Sequence, residues 1–231
     1  MAIDLEHFLR LDLNFPGITF EYESRALDVY LRVLEEQVSH AQAQYRLRAE
    51  RRLEKMKPSL DRDEYREISL WIDDAANHQI PQFFSIGAIA SIWGLFESFL
   101  VDFATYVGGR ENTGLPFRDI RANNFRHQVE KYFEGMHRIP LPWSEQERES
   151  LSHLQELRNV VAHRNGRVTD LPAEVEAKFK TLVGKLDGVK IVDDRIAISS
   201  IYISNVAELI SSLVSRLSQQ LADRYAPRGA E

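Results

Sequence analysis

Apolar residues recur at intervals of three and four along most of the chain, and this spacing is typical of one face of an α-helix. It predicts helices over about 24–57, 61–78, 82–107, 121–136, 145–164, 172–186 and 200–224. We expect Ser24 to cap the first helix, and the segment ITFEY before it has the composition of a short strand. The first helix also carries a seam like that of a coiled coil, formed by Leu27, Leu31, Leu34, Val38, Ala41 and Tyr45.

In one segment apolar and polar residues alternate, as they do in a β-strand with one buried face. The sequence VKIVDDRIAIS predicts a small hairpin that turns at Asp193 and Asp194. The fold class is therefore mostly α: a helical bundle with a small β-hairpin before the C-terminal helix. We expect a single domain over 24–225, preceded by a segment, 1–23, whose pattern leaves its structure open, and followed by a frayed tail over 226–231.

Composition narrows the classes of function. The chain of 231 residues has no cysteine, which excludes disulfides, thiolate zinc sites and a cysteine nucleophile. The net charge of −6 argues against a surface that is basic all over, although a local basic cleft remains compatible with it. The most apolar helix is interrupted by Glu97 and Asp102, so we expect a buried core helix and no membrane span. The N-terminus lacks the pattern of a secretory signal, and we expect a cytoplasmic protein.

The stretch ELRNVVAHRNGRV, residues 156–168, places an arginine, an asparagine and a histidine at the end of a helix that Gly166 should close. At 100° per residue, Arg158 falls within the apolar stripe of that helix, whereas Asn159 and His163 lie on the opposite face. Arg158 and His163 are about 140° apart. Either the helix distorts near its end, or a second chain completes the site. The apolar stripe itself comprises Leu151, Leu154, Leu157 and Val161.

A charged residue on an apolar helix face needs a partner. Glu97 stands among apolar neighbours in the third helix, and we predict an ion pair between Glu97 and Arg158. The alternative is an arginine that extends to water. The same helix carries a stripe of small and polar residues, which favours either tight packing inside one chain or a dimer interface. This stripe comprises Gly87, Ser91, Gly94, Ser98, Asp102 and Thr105.

Two interpretations of the motif follow from its chemistry. Cationic residues at a helix C-terminus are favoured by the helix dipole, by about 0.3–1 kcal/mol each, and this explains Arg158, His163 and Arg164 without any function. Alternatively, the imidazole moves protons, the guanidinium holds a phosphate, and Asn159 hydrogen-bonds the same phosphate or orients the imidazole. This second combination suits RNA cleavage by the 2′-hydroxyl, and that reaction requires neither a metal nor a cofactor.

The pattern R-N-x-x-x-H formed by Arg158, Asn159 and His163 resembles that of the HEPN (higher eukaryotes and prokaryotes nucleotide-binding) superfamily. Further segments resemble its bacterial RiboL-PSP-HEPN branch, over roughly the last two-thirds of the chain: SIWGLFESFLVDFATYV, LQELRNVVAHRNGRV and VKIVDDRIAISSIYISNVAELI, in that order. The resemblance implies a helical bundle that dimerises, with the two motifs facing each other across the interface. It also implies a metal-independent ribonuclease, often of toxin–antitoxin or phage-defence systems.

On this resemblance Arg158 and His163 match the catalytic pair of the family, and Asn159 matches the polar residue that follows the arginine. Glu97 would support the arginine, and Arg164 and Asn165 are candidate RNA contacts. The expected partners are RNA, a second copy of the chain, and an antitoxin or defence-system protein, with no membrane, metal or cofactor.

Two alternatives stay open. Many members of the family have lost activity, so the chain is alternatively a non-catalytic HEPN module that binds RNA, a nucleotide or a protein partner. The other alternative is a purely structural helical dimer in which the motif is only a helix cap.

Overall fold

The computed structural model describes residues 14–164, 166–169 and 171–225. Its helices are α1 (Pro16–Met56), α2 (Arg62–Asp74), α3 (Ile80–Arg110), α4 (Phe125–Glu130), α5 (Glu145–Arg164), α6 (Ala173–Val183) and α7 (Ser200–Tyr225). Between α6 and α7 the chain forms an antiparallel hairpin of β1 (Val189–Val192) and β2 (Arg195–Ile198). The predicted fold class, mostly α with a small hairpin before the C-terminal helix, is confirmed.

The chain forms two compact units, and the first comprises the described parts of 1–27, 92–155 and 206–231. Its core is rich in aromatic side chains, because α3 presents Trp93, Phe96, Phe99 and Phe103 at helical spacing, all of them buried. The hydroxyl of Tyr132 donates to the Ala104 carbonyl at 3.0 Å, which satisfies its polar end inside the core. Burial of each such large side chain stabilises the fold by about 1.5–3 kcal/mol.

The second unit comprises residues 28–91 and 156–205, and it contains the hairpin and the end of α5. In the hairpin Val189 pairs with Ile198 and Val192 pairs with Arg195. The turn falls on Asp193 and Asp194, as predicted, with φ of 44° and 74°. Two consecutive positive φ values give the turn a twist that matches the flanking strands.

The structure corrects the predicted start of the first helix. Helix α1 begins at Pro16, so ITFEY is helical, and Ser24 is not a cap: its hydroxyl donates to the Glu21 carbonyl at 3.1 Å. Proline is favourable in the first helical turn because its missing N–H has no partner there anyway. Phe20 anchors these turns, since it is buried with its ring 4.8 Å from that of Phe99.

The predicted seam of α1 is present, but it is not buried. Its leucines and Val38 are half-buried, Tyr45 is exposed, and no residue between 21 and 52 is buried. The neighbouring Val29 and Val33 are also exposed. Within the described residues, this helix therefore keeps much apolar surface accessible.

The predicted break between the second and third helices is wrong. Helices α2 and α3 are joined by a π-helical segment, Ala75–Gln79, so the backbone stays helical through Pro81. Proline lacks the N–H for the usual helical bond, and its ring clashes with the preceding turn. The wider π turn accommodates that ring, with the Ile80 N–H bonded to the Ala75 carbonyl.

This helical run, Arg62–Arg110, is the one candidate in the described part of the chain with the length and composition to cross a membrane. Of its most apolar window, 44% is buried inside the structure. The core helix of a soluble protein has the same features, so the predicted cytoplasmic localisation stays a prediction.

The fourth helix starts later than predicted. The side chain of Asn124 accepts a hydrogen bond from the His127 N–H at 2.9 Å and caps α4, so residues 121–124 are not helical. Asparagine favours this position because its side-chain oxygen pairs an otherwise unbonded amide. A π-helical segment, Lys131–Met136, then follows α4. The predicted tail over 226–231 and most of the segment 1–23 lie outside the described residues, and the single-domain boundary stays a prediction.

Candidate functional site

The helix that carries the motif is defined at both ends by local interactions. At its start Ser144 and Glu147 form a capping box, with the Ser144 N–H donating to Glu147 Oε2 at 2.7 Å and the Glu147 N–H donating to Ser144 Oγ at 3.3 Å. At its end Gly166 has a φ of +75°, and its N–H donates to the Val160 carbonyl at 3.3 Å. Glycine adopts this left-handed conformation without steric cost, which explains why α5 ends here.

The side chains of α5 point as the helical angles predict. The four residues of the predicted stripe are each 2% exposed or less, whereas Asn159 and His163 are exposed. Arg158 is half-buried, and its Nη1 donates to Asn159 Oδ1 at 3.3 Å. Because α5 remains α-helical through Arg164, Arg158 and His163 stay about 140° apart around the helix. The described residues thus show no helix distortion that would bring the two side chains together within one chain.

His163 lies in a shallow groove of the second unit. The groove is lined by Ile86 and Ala90 of α3 and by residues 161–164 and Arg167 around the end of α5. An imidazole and two guanidinium groups, those of Arg164 and Arg167, therefore share an open surface with apolar walls. Such a combination suits an anionic ligand with apolar parts, because arginine binds phosphate through paired hydrogen bonds.

The stripe of small residues on α3 is uncovered in the described structure. Ser91, Gly94, Ser98, Asp102 and Thr105 are exposed, and Gly87 is half-buried. A Cβ added to Gly87 or Gly94 would meet no described atom within 4 Å. The described residues therefore show no close packing against Gly87 or Gly94. Gly87 and Ser91 each follow a residue of the His163 groove by one position, so the uncovered face begins at the groove.

The other predicted site residues are Arg164, Asn165 and Glu97, and of those that the structure describes only Arg164 lines the groove. Asn165 lies outside the described residues. Glu97 is half-buried on α3 in the first unit, whereas Arg158 belongs to the second unit. The predicted Glu97–Arg158 ion pair stays a prediction.

Arg167 is a groove residue that the sequence did not single out. It lies four residues after His163, but α5 ends at Arg164, so helical periodicity does not determine where its side chain lies. Gly166 has a positive φ, and Arg167 directly after it pairs with Arg195 in an isolated antiparallel bridge. This backbone bridge to the hairpin fixes Arg167 beside the groove. The sequence signal for Arg167 is the pattern RNGR, in which an arginine directly follows a glycine that can adopt a left-handed conformation.

Within the described ranges, no group of three or more histidine, aspartate or glutamate side chains is arranged to hold a metal ion. No family model, no curated protein and no solved structure matches this chain.

Proposed function

We propose that the protein is a metal-independent endoribonuclease of the HEPN type that works as a homodimer. It would act in the cytoplasm, in a toxin–antitoxin or phage-defence system with an antitoxin or defence protein as partner. One observation carries the proposal: an exposed histidine, His163, lies with two arginines in a cationic groove that adjoins an uncovered face of small residues. The cationic groups of the groove would bind a phosphate, and the uncovered face would bind a second copy of the chain.

The residues have complementary roles in this reaction. His163 accepts the proton of the RNA 2′-hydroxyl as that oxygen attacks phosphorus. The bond from phosphorus to the 5′-oxygen breaks, and the leaving oxygen takes a proton from the imidazolium. The products are a 2′,3′-cyclic phosphate and a free 5′-hydroxyl. Arg158 stabilises the charge that develops on the phosphate oxygens, and Asn159, which accepts a hydrogen bond from Arg158, orients the guanidinium.

A second copy of the chain is needed for this arrangement because the two catalytic side chains diverge on a regular helix. A partner that packs on the face formed by Gly87 and Ser91 would lie beside the groove of His163. Arg158 of the partner subunit would then approach the phosphate from the opposite side. Small residues on this face permit close approach of two helices, which supports the interface.

Cleavage of a broad RNA pool in the presence of EDTA tests the proposal. We expect wild-type protein to leave 2′,3′-cyclic phosphate ends. His163→Ala should cut slower by a factor of about 10²–10⁴, the usual contribution of general acid–base catalysis. His153→Ala is the matched control, because this histidine of the same helix lies outside the groove, 3.6 Å from Glu149.

Three outcomes are informative. Cleavage that only His163→Ala abolishes supports the ribonuclease. Equal loss in both histidine variants would mean that helix integrity, and not the groove, controls activity. Absence of cleavage by wild-type protein, combined with RNA binding that charge reversal at Arg167 weakens, would favour the non-catalytic binding module.

A further inference from the structure

A second pocket, of about 190 Å³, lies in the same unit between the π-helical segment and the hairpin. Its polar lining comes from two stretches that are far apart in sequence: Asp74, Asn77, His78, Gln79 and Gln82 in the first, and Asp193 and Arg195 in the second. Its apolar lining includes Pro81, Ile196 and Ile198. Short π-helical segments are uncommon and occur frequently at functional sites, and here one supplies a wall of the pocket.

The amides of this pocket present a mixed set of hydrogen-bonding groups. Gln82 Nε2 is buried and has no hydrogen-bond partner among the described residues. Gln79 Nε2 donates to Asp74 Oδ2 at 2.8 Å, so the other end of that amide is an acceptor. Asn77 Oδ1 accepts from Arg46 Nη2 at 3.1 Å, so its remaining group is a donor. A buried amide without a partner is unfavourable, and a ligand that hydrogen-bonds to it removes that cost.

The charges of the pocket select the kind of ligand. The lining contains two carboxylates, those of Asp74 and Asp193, and one guanidinium, that of Arg195, so the pocket has no excess of positive charge for a phosphate. The groove of His163, with Arg164 and Arg167, has that excess. A neutral, planar group with both donors and acceptors and with apolar faces fits the amide pocket. Nucleobases have these properties, and the carboxamide of asparagine or glutamine matches the donor and acceptor of adenine best.

The backbone at Gly166 lies close to residues of both the pocket and the groove. A Cβ at Gly166 would lie 3.0 Å from Gln82 Nε2, in the pocket, and 3.4 Å from Ile86 Cδ1, in the groove. The Gly166 carbonyl also accepts from the N–H of Ile196, another pocket residue, at 3.0 Å. A nucleotide with its phosphate beside His163 therefore has a base pocket nearby, beside Gly166.

We propose that this pocket binds the nucleobase next to the scissile phosphate, with adenine preferred, and thereby gives the ribonuclease a base preference. The proposal rests on the proposed function for the position of the phosphate. Gln82 would bond to the edge of the base, Gln79 and Asn77 would complete the donor and acceptor pattern, and Pro81 would contact the base through apolar atoms.

Binding of adenosine, which has no phosphate, tests the pocket apart from catalysis. Adenosine and uridine are titrated separately into the full chain, with calorimetry as the readout. We expect adenosine to bind more tightly than uridine, and Gln82→Leu to weaken adenosine at least about tenfold, the effect of one lost hydrogen bond to a buried amide. Gln37→Leu, at an exposed position of α1, is the matched control and should leave the affinity unchanged. Equal binding of both nucleosides, or an adenosine affinity that Gln82→Leu does not change, would overturn the proposal.

Mapping of cleavage sites in a randomised RNA pool separates this proposal from the proposed function. A preference for adenine beside the cut in wild-type protein that Gln82→Leu removes supports both proposals. Cleavage without base preference in wild-type protein would contradict the proposed nucleobase pocket and would still support the proposed ribonuclease. Adenosine binding that depends on Gln82, without any RNA cleavage, would support the pocket as a nucleobase site and would contradict the proposed ribonuclease activity.

Discussion

Two glutamines of the second unit differ in what their amide groups contact, although both are partly buried. Gln42 Nε2 donates to the Ala76 carbonyl at 2.9 Å, and so ties α1 to the π-helical segment. Gln82 Nε2 has no such partner among the described residues. The cost of an unpaired buried amide is about 1–3 kcal/mol, so the same residue type stabilises the fold at one position and destabilises it at the other. Residues that bind ligands frequently carry such a cost.

Replacement of each glutamine by leucine should therefore change stability in opposite directions. We expect Gln82→Leu to raise the free energy of unfolding by about 1 kcal/mol, because an unpaired amide leaves the interior. Gln42→Leu should lower it by about 1 kcal/mol, because the Ala76 carbonyl loses its donor. Urea unfolding followed by circular dichroism measures both changes. A loss of stability in Gln82→Leu as large as that in Gln42→Leu would show that the Gln82 amide is satisfied in the folded protein.

At the scale of elements, the ends and faces of helices explain which predicted boundaries were right. Helix α5 follows its sequence signals closely, since the capping box of Ser144 and Glu147 starts it and Gly166 ends it. Its first turn is also fixed by the ion pair between Glu147 and Arg216 of α7. The hydrogen bond from the Ser144 N–H, supported by Arg216, holds the pKa of the Glu147 carboxyl below its usual value, against the opposing effect of burial.

This pKa shift predicts how Glu147 affects stability as the pH changes. A carboxyl with a lowered folded-state pKa stabilises the protein above its unfolded-state pKa, which is about 4.3, and that contribution is lost as the pH falls through the folded-state value. Glu147→Gln should therefore be less stable than wild type at pH 7, with the difference shrinking below about pH 4. Urea unfolding at several pH values measures it, and Glu156→Gln, exposed on the same helix, is the control. A difference that stays constant down to pH 3 would contradict this account.

Two adjacent glycines of α3 face different surroundings. A Cβ at Gly109 would meet no described atom within 4 Å, whereas one at Gly108 would lie 2.7 Å from the buried hydroxyl of Tyr132. We expect Gly109→Ala to stabilise the protein by up to about 0.5–1 kcal/mol through its higher helix propensity. Gly108→Ala should destabilise it by about 1–3 kcal/mol, because Tyr132 must move and its bond to Ala104 is disturbed. Thermal unfolding of the pair checks both signs, and equal shifts would rule out this explanation.

At the scale of the whole molecule, the proposed active site extends beyond one chain. The regular course of α5 separates Arg158 from His163, and no described residue covers the face of α3 that adjoins the groove. Both features are consistent with a site that takes its arginine from one copy and its histidine from another. Isologous dimers place the same residues on both sides of an interface, so such a dimer would contain two equivalent sites.

Mixing of two inactive variants tests the shared site. Arg158→Ala and His163→Ala should each be inactive alone, and an equal mixture should regain about a quarter of wild-type cleavage, since half of the dimers are mixed and each has one intact site. A mixture of Arg158→Ala with the double variant serves as the control, because no dimer in it combines both side chains. Light scattering should give twice the chain mass of 26.7 kDa for wild type. A mixture that stays inactive although mixed dimers form would place each site within one chain.

The sequence determined the features that depend on neighbours along the chain. Periodicity fixed the buried stripe of α5 and the exposure of Asn159 and His163, and turn chemistry fixed the hairpin at Asp193 and Asp194. Tertiary structure decided what depends on distant residues. Contact between Phe20 and Phe99 accompanies the early start of α1, and the π turn keeps the backbone helical through Pro81. The amide pocket exists only because Gln82 and Arg195, which are far apart in sequence, meet around the turn at Gly166, and no local pattern encodes such an encounter.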